Sequence, residues 1–344
     1  MVLKRISIFV IVQVLSLFSV LSQISPAIDQ NWVLLSNQSD EFPGSSINNL
    51  KWDAGSAQMG IGWGMGSVYP LSHVIVNSGL LRLRWSYGVP FSSVGQIRSK
   101  NANFGYGYFE VFAKMLEPGN FSNGIPCANG LWPSFWTYFE NLNDCIHDEI
   151  DVVETLYKSC SDVNIMGMGI WDYQNEGTPP CQGVKRYENN FNHFSPLFSG
   201  FNKYGAEWLS DRVIFYLNDF PVGEYRGVGI PQVLQYVVLS MQTHTGYGDL
   251  SNVSSPQDFV IDYFRYYKLK YEHCNDNIQL LDATDIQNFQ FGVYKNITLG
   301  AISSSIVIQN NSNLTFRASE EINVIGEFEV ASGSELNLIN TPCN

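Results

Sequence analysis

The chain has 344 residues, of which 45% are hydrophobic, 14% aromatic and only 15% charged, and its formal net charge is −13. This length allows one large domain with a smaller partner domain. The acidic charge argues against nucleic acid as a partner, because phosphates require basic patches. It is also unfavourable for a heavily sulfated polysaccharide, unless Arg and Lys side chains line the binding cleft.

The N-terminal segment, residues 1–22, is predicted to be a signal peptide. Lys4 and Arg5 supply a charged beginning, Ile6–Leu21 is mostly apolar, and small residues near Ser22 offer a cleavage site. A transmembrane anchor is the alternative, since the apolar run is nearly long enough to cross a bilayer. Polar residues within the run favour the signal peptide, so we expect a secreted or cell-surface protein without stable membrane insertion.

Short strand patterns recur through the middle of the chain. Leu80–Trp85, Tyr108–Met115, Arg212–Asn218 and Tyr236–Met241 alternate or run apolar, and Gly, Pro, Asn and Asp clusters separate them. The sequence shows no amphipathic helix of several turns after the signal peptide. These patterns predict an all-β fold, a sandwich of two curved antiparallel sheets with a concave face that forms a cleft.

The apolar segment Trp132–Trp136 carries two tryptophans just before a group of acids. Indole rings pack on the apolar faces of sugar rings, so tryptophans beside paired carboxylates indicate a sugar platform. The alternative is that Trp132 and Trp136 belong to the core of the sandwich.

Three carboxylates lie within the β-branched segment His147–Glu154. Strand side chains alternate between faces, so Glu149 and Asp151 share a face, and one extra residue in a β-bulge returns Glu154 to it. Like charges this close raise one pKa, which suits a general acid beside a nucleophile. Retaining glycosidases hold such a pair about 5–5.5 Å apart. An edge strand with solvated acids and a calcium site are the alternatives.

Six cysteines indicate disulfide bonds in an oxidising compartment. Six cysteines allow fifteen full pairings, among which the sequence alone does not choose. Their order suggests the pairs Cys127–Cys145, Cys160–Cys181 and Cys274–Cys343. A zinc site is the competing interpretation, but the sequence contains neither C-x-x-C nor H-x-x-x-H spacing.

The composition changes after Cys274. Residues 275–285 are polar and are interpreted as a linker, and residues 286–344 are predicted to form a small C-terminal β module. Very short strand patterns recur there every seven to ten residues or so, a spacing that suits a stacked β-solenoid. The segment resembles the coathanger-stack modules at the ends of secreted Bacteroidetes proteins.

Residues 31–272 resemble glycoside hydrolase family 16, the retaining endo-glycanases that include laminarinases, lichenases, agarases and carrageenases. The family's E-x-D-x-x-E signature matches Glu149, Asp151 and Glu154. Other blocks match the family in the same chain order, namely Asp40–Phe42, Lys51-Trp52, Gly95–Lys100, Phe104–Val111, Trp132–Trp136, Tyr204–Trp208 and Val260–Tyr267.

The resemblance implies a role for each acid. Glu149 is expected to be the nucleophile, Glu154 the general acid and base, and Asp151 the residue that tunes the charge of Glu149. The expected substrate-binding residues are Trp132, Trp136, Arg98 and Trp171. The resemblance also implies a monomer that acts on a polysaccharide without a catalytic cofactor.

The substrate implied first is a β-1,3-glucan of the laminarin type, cleaved at internal β-linkages. Departures from the family pattern keep other substrates open. His147-Asp148 replaces the Cys-Gly that often precedes the first acid in laminarinases, and Trp171 lies near a position where many members have histidine. The alternatives are a marine galactan (agarose, porphyran or carrageenan) as substrate, and a non-catalytic carbohydrate-binding protein on the same scaffold.

Family members often carry a calcium ion on the convex face. The resemblance places such an ion at Asp262, near Gly79 in the turn that follows Asn77. We expect this calcium to be structural and not catalytic.

Overall fold

The computed structural model describes residues 25–29, 32–55, 67–89, 92–117, 130–141, 146–158, 160–172, 184–209, 212–244, 250–253, 255–269, 272–281, 285, 293–300, 305–308, 313–332 and 335–340. The predicted signal peptide lies outside these residues, and so do the side chains of all six cysteines, so the predicted disulfide bonds stay predictions. Within the described ranges, no helix is both long and apolar enough to cross a membrane.

The described chain is built almost entirely from strands, with short 3-10 helices at Leu71–His73, Cys160–Asn164 and Leu250–Asn252. In chain order the strands are β1 (Trp32–Leu34), β2 (Trp52–Ala54), β3 (Ser67–Val68), β4 (Val74–Asn77), β5 (Leu80–Ser86), β6 (Ser92–Val94), β7 (Gln96–Ser99), β8 (Gly107–Lys114), β9 (Leu131–Asn141), β10 (Ile146–Glu154), β11 (Ile165–Asp172), β12 (Val184–Asn192), β13 (Asn202–Trp208), β14 (Arg212–Leu217), β15 (Phe220–Arg226), β16 (Tyr236–Thr243), β17 (Gln257–Leu269), β18 (Glu272–Leu280), β19 (Val293–Leu299), β20 (Ser305–Ile308), β21 (Asn313–Val324), β22 (Glu327–Val330) and β23 (Glu335–Asn340).

Strands β1 to β17 form two large sheets. The ten-stranded sheet runs β15-β14-β13-β8-β17-β5-β6-β3, with β1 paired to β17 and β4 to β5. The seven-stranded sheet runs β12-β11-β10-β9-β16-β7-β2. Among the described strands of both sheets, the pairing of β3 with β6 is parallel and all others are antiparallel. The predicted sandwich of two antiparallel sheets is confirmed.

The core of the sandwich lies between the two sheets. Phe135, Ile150 and Leu239 from the seven-stranded sheet pack in one buried cluster with Phe109 and Phe264 from the ten-stranded sheet. The rings of Phe135 and Phe264 meet edge to face across the sheets at 6.0 Å. Each such burial stabilises the fold by about 1.5–3 kcal/mol. Because strand residues alternate, the neighbours of these core residues lie on the opposite face of the seven-stranded sheet, which we call the cleft face.

The C-terminal strands form a different architecture, in which β18-β19-β21-β23 and β20-β22 are two parallel sheets. Successive turns of chain stack in register, as in a solenoid, which confirms the predicted β-solenoid-like region. Ile297, Leu299 and Phe316 lie in its small buried core.

The start of this C-terminal unit differs from the expectation. Residues 275–280, interpreted as part of a linker, lie in β18, which pairs with β19 through Ile278↔Ile297 and Leu280↔Leu299. The polar composition of the segment obscured this pairing, because among the described side chains of residues 276–280 only Ile278 and Leu280 turn into the small core. The parallel unit therefore begins at Glu272, and we call residues 272–340 the C-terminal module.

Candidate active site

The predicted bulge in β10 is present and sets the face of the acids. Asp151 pairs with Gly169 of β11 and Glu154 pairs with Gly167, so three residue steps on β10 face two on β11. The register with β9 shifts at the same place. The extra residue returns Glu154 to the face of Glu149 and Asp151.

A cavity of about 160 Å³ opens on the cleft face at this bulge. Its lining combines the outer two acids, three predicted substrate-binding tryptophans and two polar side chains. These residues are Trp132, Trp136, His147, Glu149, Glu154, Trp171 and Gln242. The structure therefore brings Trp132, Trp136 and Trp171 together with Glu149 and Glu154, as their predicted roles require.

Asp151 lies on the same strand face as Glu149 and Glu154 but does not line the cavity, and it is 1% exposed. A Cβ atom on Gly169 would lie 2.5 Å from its Oδ2 atom, so only glycine leaves room for this carboxyl group. Because Gly169 of β11 has no side chain, the Asp151 carboxyl group has room to lie between Glu149 and Glu154.

Burial raises the pKa of all three acids. Burial, reinforced by the charge of Glu154, raises the pKa of Glu149 to about 8, and a hydrogen bond with Asp151 acts in the opposite direction. The pKa of Asp151 is well above its ordinary value because of burial first and then Glu149. Burial and Asp151 raise the pKa of Glu154, while Lys185 and the Trp132 indole oppose the increase. Near neutral pH the three acids therefore carry fewer than three negative charges, so a protonated acid can stand beside a carboxylate.

The three tryptophans have different surroundings. Trp136 is 6% exposed, donates its indole N–H to Ser240 Oγ at 3.1 Å and packs on Tyr138. The Lys185 ammonium lies 4.5 Å from the centre of the Trp171 ring, so one face of that indole is covered. Trp132 is half-buried in β9, and its register partner on β16 is Gln242. Of the two tryptophans in β9, Trp132 is therefore the more accessible.

Arg98 lies on the cleft face but not among the residues that line the cavity. Its guanidinium donates to the Tyr138 hydroxyl at 3.0 Å, lies 3.7 Å from Asp53 and stacks 4.3 Å from the centre of the Tyr236 ring. In this arrangement Arg98 supports the aromatic side chains beside the cavity. Its predicted role in substrate binding stays a prediction.

The predicted calcium site lies on the other sheet. Gly79 occupies the turn between β4 and β5 with φ of +75°, and Asp262 follows Ile261, which pairs with Leu81. Asp262 offers a hard oxygen ligand of the kind that calcium prefers. The described residues contain no group of three or more His, Cys, Asp or Glu side chains that could hold a metal ion. Calcium at Asp262 would therefore depend largely on backbone carbonyls, and it stays a prediction.

Two cavity residues were not among the predicted site residues. His147 is 7% exposed, and its Nε2 atom lies 3.0 Å from Glu149 Oε2. Gln242 is 6% exposed, and its Oε1 atom accepts no hydrogen bond from the described residues. Strand alternation could have identified His147, because it lies two residues before Glu149. Gln242 could not have been identified in this way, because its place in the cavity depends on the pairing of β16 with β9, which the sequence does not reveal.

Comparison with known proteins adds a family and a fold. The sequence profile of glycosyl hydrolases family 16 matches residues 65–264, more than half of the chain. No curated protein matches the chain.

Three solved structures illustrate the fold. The κ-carrageenase of Zobellia galactanivorans is 19% identical, with 72% of this chain and 100% of that chain covered and a TM-score of 0.59. β-Agarase A in complex with oligoagarose is 20% identical, with 72% and 97% covered and a TM-score of 0.58. A lichenase derived from a mouse hindgut metagenome is 18% identical, with 66% and 97% covered and a TM-score of 0.52. At these identities the likenesses establish the shared fold, and the profile match establishes the family: the chain belongs to glycosyl hydrolases family 16 and is a glycoside hydrolase.

Proposed function

We propose that this enzyme hydrolyses internal β-linkages of a neutral polysaccharide with retention of anomeric configuration. The observation that carries the proposal is the cavity on the bulged strand, in which Glu149 and Glu154 lie among three tryptophans. Its lining includes no Lys or Arg among the described residues, and the nearby Lys185 ammonium is stacked on Trp171 and faces the acids. Apolar rings with a few polar groups suit a neutral sugar.

The proposed reaction is a double displacement. Glu154, protonated, gives its proton to the glycosidic oxygen while the Glu149 carboxylate attacks the anomeric carbon, and the bond to the leaving chain breaks. Glu154, now ionised, takes a proton from water, and that water displaces Glu149 from the same carbon. Asp151 holds a proton toward Glu149 and lowers its basicity when the glycosyl-enzyme breaks down.

Two neutral polymers are candidate substrates. A β-1,3-glucan of the laminarin type is favoured by the family motifs in the sequence. An agarose-type galactan is the second candidate, because the sequence departs from the laminarinase pattern at His147-Asp148 and Trp171, and because β-agarase A, solved with oligoagarose, shares this fold. The acidic chain, with a formal charge of −13, disfavours the sulfated porphyran and carrageenan on which other neighbours in the family act.

The test is the release of reducing ends from laminarin, mixed-linkage glucan, agarose, porphyran and κ-carrageenan at equal mass concentration. We expect turnover of laminarin or agarose and none of the two sulfated polymers. The product of the active reaction, followed by NMR immediately after mixing, should be the β-anomer. Turnover of a sulfated polymer alone would refute the neutral substrate, and a first product with α-configuration would refute the mechanism.

We also propose that the protein is secreted, as the N-terminal sequence indicates. Mass spectrometry of the protein from culture medium should show a mature chain that begins near residue 23. Retention of the whole chain in the cell membrane would contradict this proposal.

A further inference from the structure

A buried histidine links the proposed nucleophile to a third glutamate. His147 Nε2 lies 3.0 Å from Glu149 Oε2, and His147 Nδ1 lies 3.6 Å from Glu140 Oε1. Glu140 is the register partner of His147 on β9. The side chains of His147, Glu149 and Glu140 are 9%, 19% and 37% exposed, so the row runs from the cavity toward solvent.

The chemistry of these groups fixes where a proton must lie. An ionised carboxylate only accepts hydrogen bonds, so when Glu149 is ionised, as a nucleophile must be, the ring nitrogen that faces it must carry hydrogen. This holds for the neutral ring with hydrogen on Nε2 and for the doubly protonated ring. Burial lowers the pKa of His147, and the charges of Glu140 and Asp148 oppose this effect. The doubly protonated ring donates to Glu149 and Glu140 at once, and a neutral ring donates to Glu149 only as the tautomer with hydrogen on Nε2.

The donor matters because burial and the charges of Glu154 and Glu140 disfavour the ionised form of Glu149, whereas a hydrogen bond with Asp151 favours it. Lys185 of β12 favours the ionised forms of Asp151 and Glu154. A nucleophile has to be ionised and held in one orientation before it attacks. A hydrogen bond to one carboxylate oxygen supplies both conditions and leaves the other oxygen for the anomeric carbon.

We propose that His147 is a positioning residue for Glu149, donating Nε2–H to Oε2 so that the attacking carboxylate is oriented and ionised, with Glu140 orienting the ring. This inference rests on the proposed role of Glu149 as nucleophile, but not on the identity of the polysaccharide.

The first test uses the intact wild-type protein. Nitrogen-15 NMR of the histidine ring should show hydrogen on Nε2 of His147, with a signal that moves in Glu149→Gln. Detection of Nε2 as the unprotonated nitrogen would overturn the proposal.

The second test measures the titration of Glu149 with carboxyl carbon-13 labelling, with the signal assigned by its loss in Glu149→Gln. In His147→Ala we expect the pKa of Glu149 to rise by about one unit or more, because a hydrogen bond to a charged group is lost. His147→Gln, which keeps an amide donor, should show a smaller rise, and Glu140→Gln a smaller rise still. The matched control is His193→Ala, which removes a buried histidine that bonds to Ser195 and not to the acids. Equal titration of Glu149 in wild type and His147→Ala would overturn the proposal.

The third test is kinetic, on laminarin or agarose. His147→Ala should lower kcat about 10-fold to 100-fold with KM nearly constant, and the acidic limb of the pH–rate profile should move to higher pH. A change in KM alone would assign His147 to substrate binding and overturn the positioning role. Absence of wild-type turnover on every neutral polymer would refute the proposed substrate, whereas the two NMR tests would still decide the role of His147.

Discussion

The seven-stranded sheet and the C-terminal module bury apolar side chains by the same alternation of strand residues, yet they differ in the charge they bury. On the cleft face, Asp151 is 1% exposed and lies between two further carboxyl groups. In the described part of the C-terminal module, no charged side chain is buried, and the core consists of a few apolar residues around Phe316.

This difference indicates which part of the protein can accommodate buried groups that lower its stability. Burying charge costs free energy, which must be offset by packing elsewhere. The sandwich core spans two large sheets and includes side chains as large as Trp85 and Trp208, whereas the module is one thin stack. We therefore place the chemistry in the sandwich and expect the module to contribute stability or attachment.

The largest effect on turnover is expected for Glu149→Gln. Without a nucleophile, kcat should fall by about three orders of magnitude or more, while binding of oligosaccharide is largely retained. Because a neutral amide replaces an acid whose charge is disfavoured by burial, Tm should be unchanged or higher. Reducing-end assays and calorimetry measure the two quantities. Glu320→Gln, a change of an exposed glutamate in the C-terminal module, is the matched control. Substantial remaining turnover would assign the nucleophile to another acid.

Gly169→Ala should disrupt the site although it replaces none of the three acids. The added methyl group would meet Asp151 Oδ2, so the carboxyl group must move and kcat should fall about 10-fold to 100-fold. Gly200→Ala is the control, because no atom lies within 4 Å of the corresponding methyl position. Equal kinetics in both variants would show that the position of Asp151 does not limit turnover.

The stability of the sandwich should depend on pH through Glu149. Its pKa is raised to about 8 in the folded chain, above the unfolded value near 4.3. The folded state therefore holds the proton more tightly, and this contribution is fully present below about pH 4.3 and is lost as pH rises through about 8. Glu149→Gln should raise Tm by a few degrees more at pH 8.5 than at pH 5, since about 1 kcal/mol shifts Tm by about 2–4 °C in a domain of this size. A Tm difference that is the same at both pH values would show that the pKa of Glu149 is not raised in the folded chain.

Removal of residues 272–344 should leave activity on soluble substrate within about two-fold. This truncation removes both Cys274 and Cys343, so neither cysteine of the suggested pair remains in the shortened chain. Tm should fall by a few degrees, because Arg317 of the module lies 3.8 Å from Glu207 of β13, which would lose this partner while still bonding to Tyr216. Arg317→Gln in the full chain should reproduce part of the loss in Tm.

The outcome that would contradict this separation is a large loss of binding to insoluble polysaccharide with Tm intact. It would show that the module binds sugar, although the chain has no tryptophan after Trp208 with which to stack a sugar ring.

The smallest effect should come from chelation. If calcium is held at Asp262, EDTA should lower Tm by a few degrees without changing kcat at a temperature where the enzyme is folded. Asp262→Asn should abolish the response to EDTA. An unchanged Tm in the presence of EDTA would show that the site does not hold a metal ion.

Much of the site was predictable because it lies on one strand. Alternation along β10 and the need for one extra residue placed Glu149, Asp151 and Glu154 on one face, and the register with β9 and β11 confirms this arrangement. Alternating or apolar strand patterns predicted the antiparallel sandwich, because side-chain direction in a strand is a local property. The recurrence of short strand patterns every seven to ten residues predicted the stacked strands of the C-terminal module.

The tertiary structure alone decided which distant residues share the cavity. Gln242 meets Trp132 through the pairing of β16 with β9, and Lys185 covers Trp171 from β12. Likewise, residues 275–280 join a strand because Ile278 and Leu280 find partners in β19, although their own composition is that of a linker. A sequence specifies which way a strand residue points, but the identity of its neighbour depends on sheet order and register, which arise when the whole core packs.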